Sequence, residues 1–415
     1  MNLRSEQIRS DLSLDIALDQ PLTPTKMMDA FIACLGKERC SIEIFAGRKT
    51  LVYTRYDGIK DILLFAAITY LGGNGQHPIF KKRIQLQQAF KNVYLEVANN
   101  SQYNVRFMGV YHYEGNIVFA DFVKETYLQK RMNNSAAHIY INDLFQAMRN
   151  GVFEKIDNFG NKIISIRFNK LKSYFNNEFE TKAELFKIFE DFNSTLGFNN
   201  WITAQNAITE MYVNKWSQWK QTEWPGWFLE FKIDHFIKSN KLEHTIRYVG
   251  SSQKKNDDLD FDLYFAGDKF YGDLKASDMG YDVSPGNDQE AFIECINKYD
   301  RFWYVIYEHN TIKDKDRNFE ATKFRSHFLR DNDEWNKRKE FDELSYSSRM
   351  KNQVQFVNMV IIELNRINFR NVLSNFNQGR QTDGNARRVK FLINKRNLDN
   401  FVVYRCNQLF EVQSE

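Results

Sequence analysis

Apolar and polar residues alternate along several short stretches of the first 175 residues, which is the two-residue period of a half-buried β-strand. Two such stretches meet at residues 113–116 (YEGN), a sequence typical of a tight hairpin turn. A helical pattern follows, with Asn142 in the N-cap position and Gly151 just past its end. We predict a compact, β-rich α+β domain over residues 1–175, with further strands in SIEIFAG, LVYTRY, NVYLEV and KIISIRF.

The apolar spacing becomes helical after this region. Residues 181–220 carry apolar side chains three and four positions apart, with a break near Gly197, so we predict a helical bridge over residues 176–218. Residues 219–415 then read as helix, strand, strand, helix and strand, which predicts an α/β core with a mixed sheet flanked by helices. The highly charged insertion at 311–352 is either a solvated helical excursion or a partly ordered loop.

Length and composition narrow the class of protein. With 415 residues, 43% hydrophobic and 15% aromatic, the chain has more than one core and cannot be disordered throughout. The four cysteines are too dispersed for a disulfide framework, and no CxxC or HExxH motif is present, so any metal is expected on oxygen ligands. The longest apolar run, Ile62 to Leu71, is about half the roughly 20 residues that cross a bilayer. We therefore expect a soluble, cytoplasmic protein without a membrane partner.

The net charge of +4 is unevenly distributed. Residues 255–290 hold nine aspartates and one glutamate against three lysines, whereas residues 79–91 and 380–405 are basic. Acids concentrated between basic segments are typical of a metal-dependent enzyme that acts on a polyanion, because the cation is held locally and phosphates are attracted broadly. A random distribution of surface charge is the alternative.

The acidic segment has the pattern of a β-hairpin. Apolar residues alternate with Asp260 and Asp262 on the first strand, and Asp273 and Lys275 share one face of the second. Two neighbouring carboxylates repel each other unless a divalent cation neutralises them, and ligation by oxygen favours Mg²⁺. A cation beside a lysine ammonium is the arrangement that phosphodiester hydrolysis needs.

A further carboxylate comes from the preceding helix, EWPGWFLEFKIDHFIKSN, in which Pro225 suits an early position. Glu230 lies among apolar neighbours in this helix, and a carboxylate there is costly unless it serves a site. The alternative is that Glu230 is a surface acid at the rim of an apolar stripe.

This order of helix, aspartate strand and D-L-K strand resembles the PD-(D/E)xK nuclease superfamily, which includes type II restriction endonucleases. The resemblance covers about residues 220–310. It implies a restriction-endonuclease-like core in which Asp262, or alternatively Asp260, is the first metal-binding aspartate, Asp273 the second acid, and Lys275 the lysine. Glu230 is similar to the helical glutamate of many members. The resemblance further implies Mg²⁺, double-stranded DNA as substrate and a homodimer.

Two segments have the composition of DNA contacts, since amides and guanidinium groups read base edges and basic groups meet phosphates. The first segment lies in a glycine-containing loop near the C-terminus. The second segment is a predicted strand of the first domain, and Arg106, elsewhere in that domain, is a further candidate. Ordinary polar surface is the alternative for both. The candidates are Asn377, Gln378, Arg380, Gln381, Arg387, Arg388 and Lys390 in the loop, and Lys81, Lys82, Arg83 and Arg106 in the first domain.

The interpretation is a Mg²⁺-dependent, sequence-specific DNA endonuclease of the restriction type, with an N-terminal recognition domain. Two other hypotheses stay open. One is a DNA-binding protein without hydrolytic activity, in which the acidic hairpin is only structural. The other is a nuclease that depends on base modification or on nucleic-acid structure.

Overall fold

The computed structural model describes residues 4–70, 72, 77–128, 136–157, 160–179, 184–250, 261–332, 350–376 and 388–406. The chain forms two compact units. The first comprises residues 1–183 and 399–403, and the second comprises residues 184–398 and 404–415. The predicted bridge, residues 176–218, is divided between the units, since residues 184–218 belong to the second.

The first unit is built on a seven-stranded sheet in the order β11-β12-β9-β8-β5-β4-β3. Within it β5 and β8 are parallel, and all other neighbours are antiparallel. A three-stranded sheet, β10-β7-β6, and a β1-β2 pair complete the unit. The strands are β1 (Ser5–Ile8), β2 (Leu14–Ala17), β3 (Cys40–Phe45), β4 (Arg48–Thr54), β5 (Lys60–Ala67), β6 (Thr69–Tyr70), β7 (Lys81–Gln85), β8 (Tyr103–Tyr113), β9 (Asn116–Phe122), β10 (Ala136–Tyr140), β11 (Val152–Ile156) and β12 (Lys162–Arg167).

Helices of this unit cover the large sheet. Phe31 and Leu35 of the first helix and Leu171 and Phe175 of the last are buried against sheet residues such as Phe119. The predicted hairpin is confirmed, because β8 and β9 pair from Phe107↔Phe122 to Tyr113↔Asn116. The helices are α1 (Pro24–Leu35), α2 (Gln88–Val97), α3 (Lys124–Leu128), α4 (Ile141–Asn150) and α5 (Leu171–Phe175).

Two local predictions in this unit are wrong. NVYLEV was predicted as a strand but forms the end of α2, because the buried residues Phe90, Val93 and Val97 follow helical spacing while Leu95 is 60% exposed. Asn142 is not the N-cap, since α4 begins at Ile141 and the Asp143 carboxylate accepts a hydrogen bond from the Tyr140 N–H (3.0 Å).

The second unit contains a mixed sheet with strands in the order β13-β19-β18-β16-β15-β14. β16 and β18 are parallel, and the other neighbours in this order are antiparallel. The interpretation of residues 301–308 as a buried central strand is confirmed, because β18 lies between β16 and β19 and its aromatic residues are buried. The strands are β13 (Trp201–Thr203), β14 (Ile246–Tyr248), β15 (Leu263–Phe265), β16 (Phe270–Asp278), β17 (Val283–Asp288), β18 (Phe302–Lys313), β19 (Lys351–Leu364), β20 (Leu373–Phe376) and β21 (Lys390–Asn394). The last strand of the chain, β22 (Val402–Cys406), begins in residues assigned to the first unit and ends in residues assigned to the second.

A smaller antiparallel sheet, β17-β21-β20, and a set of helices surround the mixed sheet. The predicted helical break is confirmed: the first helix ends at Leu196, and Gly197 adopts φ +75°, which favours glycine. One helix lies within the charged insertion. The helices are α6 (Glu184–Leu196), α7 (Ala204–Val213), α8 (Trp224–Ser239), α9 (Gln289–Tyr299) and α10 (Glu320–Asn332).

The predicted fold class, a β-rich mixture of α and β structure followed by a mixed sheet with flanking helices, is confirmed. In the described part of the chain, no helix is both long and apolar enough to span a bilayer.

Candidate functional site

Helix α8 carries the first of the predicted site residues. Pro225 lies in its first turn, where the missing N–H costs nothing, and the helix packs against β14 and β16. Leu229 and Phe231, on either side of Glu230 along the chain, are buried, whereas Glu230 itself is half-buried. The Glu230 carboxylate therefore lies at the edge of the helix face that meets the sheet.

The β15-β16 hairpin brings the remaining predicted residues together. Asp262 immediately precedes β15, and its Oδ2 accepts a hydrogen bond from the Leu274 N–H on β16 (3.0 Å). Asp273 on the same strand is buried, with 1% of its surface exposed. Lys275 follows two residues later, on the same face, and its Nζ forms an ion pair with Asp273 Oδ2. The predicted first strand is shorter than expected, because β15 begins only at Leu263.

The electrostatics of the hairpin reflect an excess of negative charge. Burial, and then the nearby carboxylates of Asp273 and Glu230, raise the pKa of Asp262 well above its ordinary value. Burial alone would lower the pKa of Lys275, but Asp273 and Asp262 outweigh it and raise that pKa, so the ammonium stays charged. The site thus holds one firmly charged lysine among three acids.

Sequence reasoning missed Tyr248, the last residue of β14. Its hydroxyl donates a hydrogen bond to Glu230 Oε2 (2.5 Å). Burial, followed by Glu230 and Asp262, raises the pKa of Tyr248 above its ordinary value, so this hydroxyl remains a donor. No sequence pattern marks Tyr248, because its role depends on α8 and β14 being adjacent in space.

Gly250 shows how closely these groups converge. A Cβ atom on Gly250 would lie 2.5 Å from the Tyr248 hydroxyl and 2.9 Å from Asp262 Oδ1, both too close for a real side chain. The Asp262 backbone is tied to the same segment, since its carbonyl accepts a hydrogen bond from the Val249 N–H (2.8 Å). Position 250 must therefore be glycine for the tyrosine and the aspartate to occupy these places.

The carboxylates of the candidate site meet some of the requirements for binding Mg²⁺. Mg²⁺ is commonly bound by one or two carboxylates, with waters and substrate phosphates completing its shell. Asp262 and Asp273 supply two carboxylates, and the nearby Asp273 carboxylate raises the pKa of Asp262, which reflects the repulsion that a cation relieves. Within the described ranges, however, no group of three or more His, Cys, Asp or Glu side chains is spaced to hold a metal ion.

The start of α9 contacts residues on both sides of the C-terminal segment predicted to contact DNA. The Gln289 N–H donates to the Val389 carbonyl (2.9 Å), and Gln289 Nε2 donates to Asn375 Oδ1 (3.1 Å). Arg388 is exposed and Lys390 is half-buried beside these contacts. Asp260 and five of the loop candidates lie outside the described residues; these five are Asn377, Gln378, Arg380, Gln381 and Arg387.

Two basic candidates of the first unit are corrected. Lys82 is fully buried, and its Nζ donates to Ser5 Oγ (2.7 Å) and pairs with Asp19. Arg106 is only 14% exposed, with its Nε 2.8 Å from Asp61 Oδ1. Both side chains are paired with carboxylates inside the unit, so we remove Lys82 and Arg106 from the set of predicted DNA contacts.

The neighbours of Lys82 on β7 differ from it. Lys81 and Arg83 are half-buried, because alternate residues of a strand point to opposite faces. Arg83 Nη1 donates to Gln85 Oε1 (3.0 Å) on the same face. Their predicted contact with DNA stays a prediction.

One comparison with known proteins gives a match. Residues 60–175 match the family Methylase-associated X1, which covers much of the first unit and none of the candidate site. No curated protein and no solved structure matches the chain. The description of that family refers to association with a methylase.

Proposed function

We propose that the second unit is a Mg²⁺-dependent endonuclease of the restriction type that hydrolyses phosphodiester bonds in double-stranded DNA. The observation that carries the proposal is the convergence of Asp262, Asp273, Lys275 and Glu230, three acids and one lysine from a hairpin and a neighbouring helix. Such unbalanced, perturbed groups are typical of functional sites. The methylase-associated match supports a restriction–modification setting.

Each residue has a distinct role in this proposal. Asp262 and Asp273 would hold Mg²⁺, which supplies positive charge for the phosphate oxygens when it is bound. Lys275 is paired with Asp273, and its ammonium would orient the attacking water or stabilise the phosphate. Glu230 would support the metal shell from α8.

DNA would be held by basic groups on the surface. Arg388 and Lys390 flank the C-terminal loop whose base contacts the start of α9, and Lys81 and Arg83 would bind phosphates from the first unit. Cutting both strands requires two sites, so we propose a homodimer.

The test is cleavage of supercoiled plasmid and genomic DNA with Mg²⁺ by the wild type, Asp273→Ala and Lys275→Ala. We expect each substitution to reduce cleavage by at least about 100-fold, because each removes charge stabilisation at the reacting phosphate. Binding measured by mobility shift with Ca²⁺ should persist. Asp268→Ala, an exposed acid in the turn of the same hairpin, is the matched control and should cleave normally. Undiminished cleavage by Asp273→Ala rejects the assignment.

A second candidate function is a non-catalytic DNA-binding protein that works with a methylase. Two observations favour it: Lys275 is paired with Asp273, and the described residues contain no three-ligand metal group. Wild-type protein that shifts DNA but never nicks it with Mg²⁺ or Mn²⁺ would support this candidate. Parallel digestion of methylated, unmethylated and branched DNA, with sequencing of the ends, separates a restriction nuclease from one that reads modification or structure.

A further inference from the structure

The contact between Tyr248 and Glu230 has the geometry of a strong hydrogen bond. The two oxygen atoms are 2.5 Å apart, in the range for a neutral hydroxyl that donates to a carboxylate. The residues are 18 positions apart, on β14 and α8, so the bond fixes a helix side chain from a strand. The hydrogen bond therefore restricts the rotation of the Glu230 side chain, which comes from α8 and not from the hairpin.

The tyrosine ring is itself held in place. Its centroid lies 5.6 Å from that of Trp216, with the ring planes tilted by 48°. Trp216 also packs edge-on against Phe231 of α8, at 5.8 Å between centroids. The aromatic group therefore sets the direction of the Tyr248 hydroxyl independently of the hydrogen bond that it makes.

The Tyr248 hydroxyl also lies close to Asp262. The place where a Cβ of Gly250 would lie is within 2.5 Å of the hydroxyl and 2.9 Å of Asp262 Oδ1, so these two oxygens are at most about 5.4 Å apart. The Tyr248 hydroxyl thus lies near both Glu230 and Asp262. A group in this position orders one carboxylate with respect to the other.

We propose that Tyr248 is a positioning residue of this site, whose hydroxyl holds the Glu230 carboxylate in place beside Asp262 for cation binding. The inference rests on the proposed function, since it assigns Glu230 to the metal shell. Partners that orient metal ligands affect metal affinity or activity by about 10- to 100-fold when they are removed.

The test is Mn²⁺ affinity, measured by titration calorimetry on the full chain, which does not depend on cleavage. Tyr248→Phe keeps the ring and its packing on Trp216 but removes the donor, and we expect about tenfold weaker Mn²⁺ binding. Tyr264→Phe on β15 is the matched control, because its hydroxyl forms no hydrogen bond with the described residues. It should bind Mn²⁺ like the wild type, and thermal unfolding verifies that both variants are folded.

A double-mutant cycle with Glu230→Gln tests whether Tyr248 acts through Glu230. If it does, the double variant binds Mn²⁺ no more weakly than Glu230→Gln alone, whereas independent effects multiply. Equal affinity in the wild type and Tyr248→Phe, or multiplied effects, would overturn the inference. Wild-type protein that binds Mn²⁺ but cleaves no nucleic acid would overturn the nuclease proposal and leave the positioning role standing.

Discussion

Both units bury acidic side chains, but they balance them differently. In the first unit Arg106 lies between Asp61 and Asp121, and Arg55 Nη2 also donates to Asp61 (2.8 Å), so two arginines neutralise two aspartates. Among the described residues, the candidate site groups three acids around one lysine, Lys275. A balanced cluster stabilises a fold without further partners, whereas an unbalanced one needs a proton or a cation from outside. This difference is the reason that we interpret the first cluster as structural and propose a functional site at the second.

The largest expected effect comes from breaking the balanced network. Arg106→Ala leaves Asp61 and Asp121 with one cation fewer inside the unit, and we expect a loss of about 3–5 kcal/mol in the free energy of unfolding. Urea denaturation measures this loss.

In the second unit, the substitution to compare with Arg106→Ala is Asp262→Asn. Removing a charge from a cluster that already has too many should leave the stability of the metal-free protein unchanged or higher. A loss comparable to that of Arg106→Ala would show that the acids of the hairpin are balanced after all, and would end the contrast between the units.

One acid of the first unit provides a smaller test. Burial raises the pKa of Glu6 to about 7, against the opposing attraction of Lys82. The stability that its protonated form contributes is complete below about pH 4.5 and is lost as the pH rises through about 7, and it amounts to roughly 3 kcal/mol. Urea midpoints between pH 5 and 9 measure the loss. Glu6→Gln should flatten this part of the profile, and an unchanged profile would contradict the assignment.

The smallest expected effect is a change in DNA binding when basic residues are removed from the face of β7 opposite Lys82. Lys81→Ala and Arg83→Ala should each weaken DNA binding modestly and lower the slope of log affinity against log salt by about one, because one phosphate contact is lost. Binding titrations at several salt concentrations measure the slope. An unchanged slope in both variants removes β7 from the proposed DNA surface.

Local patterns predicted what depends on neighbouring residues of the chain. The β8-β9 hairpin and the break at Gly197 follow from turn chemistry, and the alternation of residues 270–276 places Asp273 and Lys275 on one face because successive side chains of a strand point in opposite directions. The α2 error has the same origin: Val93, Leu95 and Val97 alternate over a window too short to reveal the helical period.

By itself, the amino-acid sequence determined that residues 263–278 form a hairpin with an acid and a lysine on one strand face, since a period of two residues needs no distant partner. Only the tertiary structure decided that Lys82 and Arg106 are buried in ion pairs and that Tyr248 reaches Glu230. The reason is that burial and charge pairing depend on which distant elements pack together. A basic residue within a strand has the same local pattern whether it meets water or a buried carboxylate.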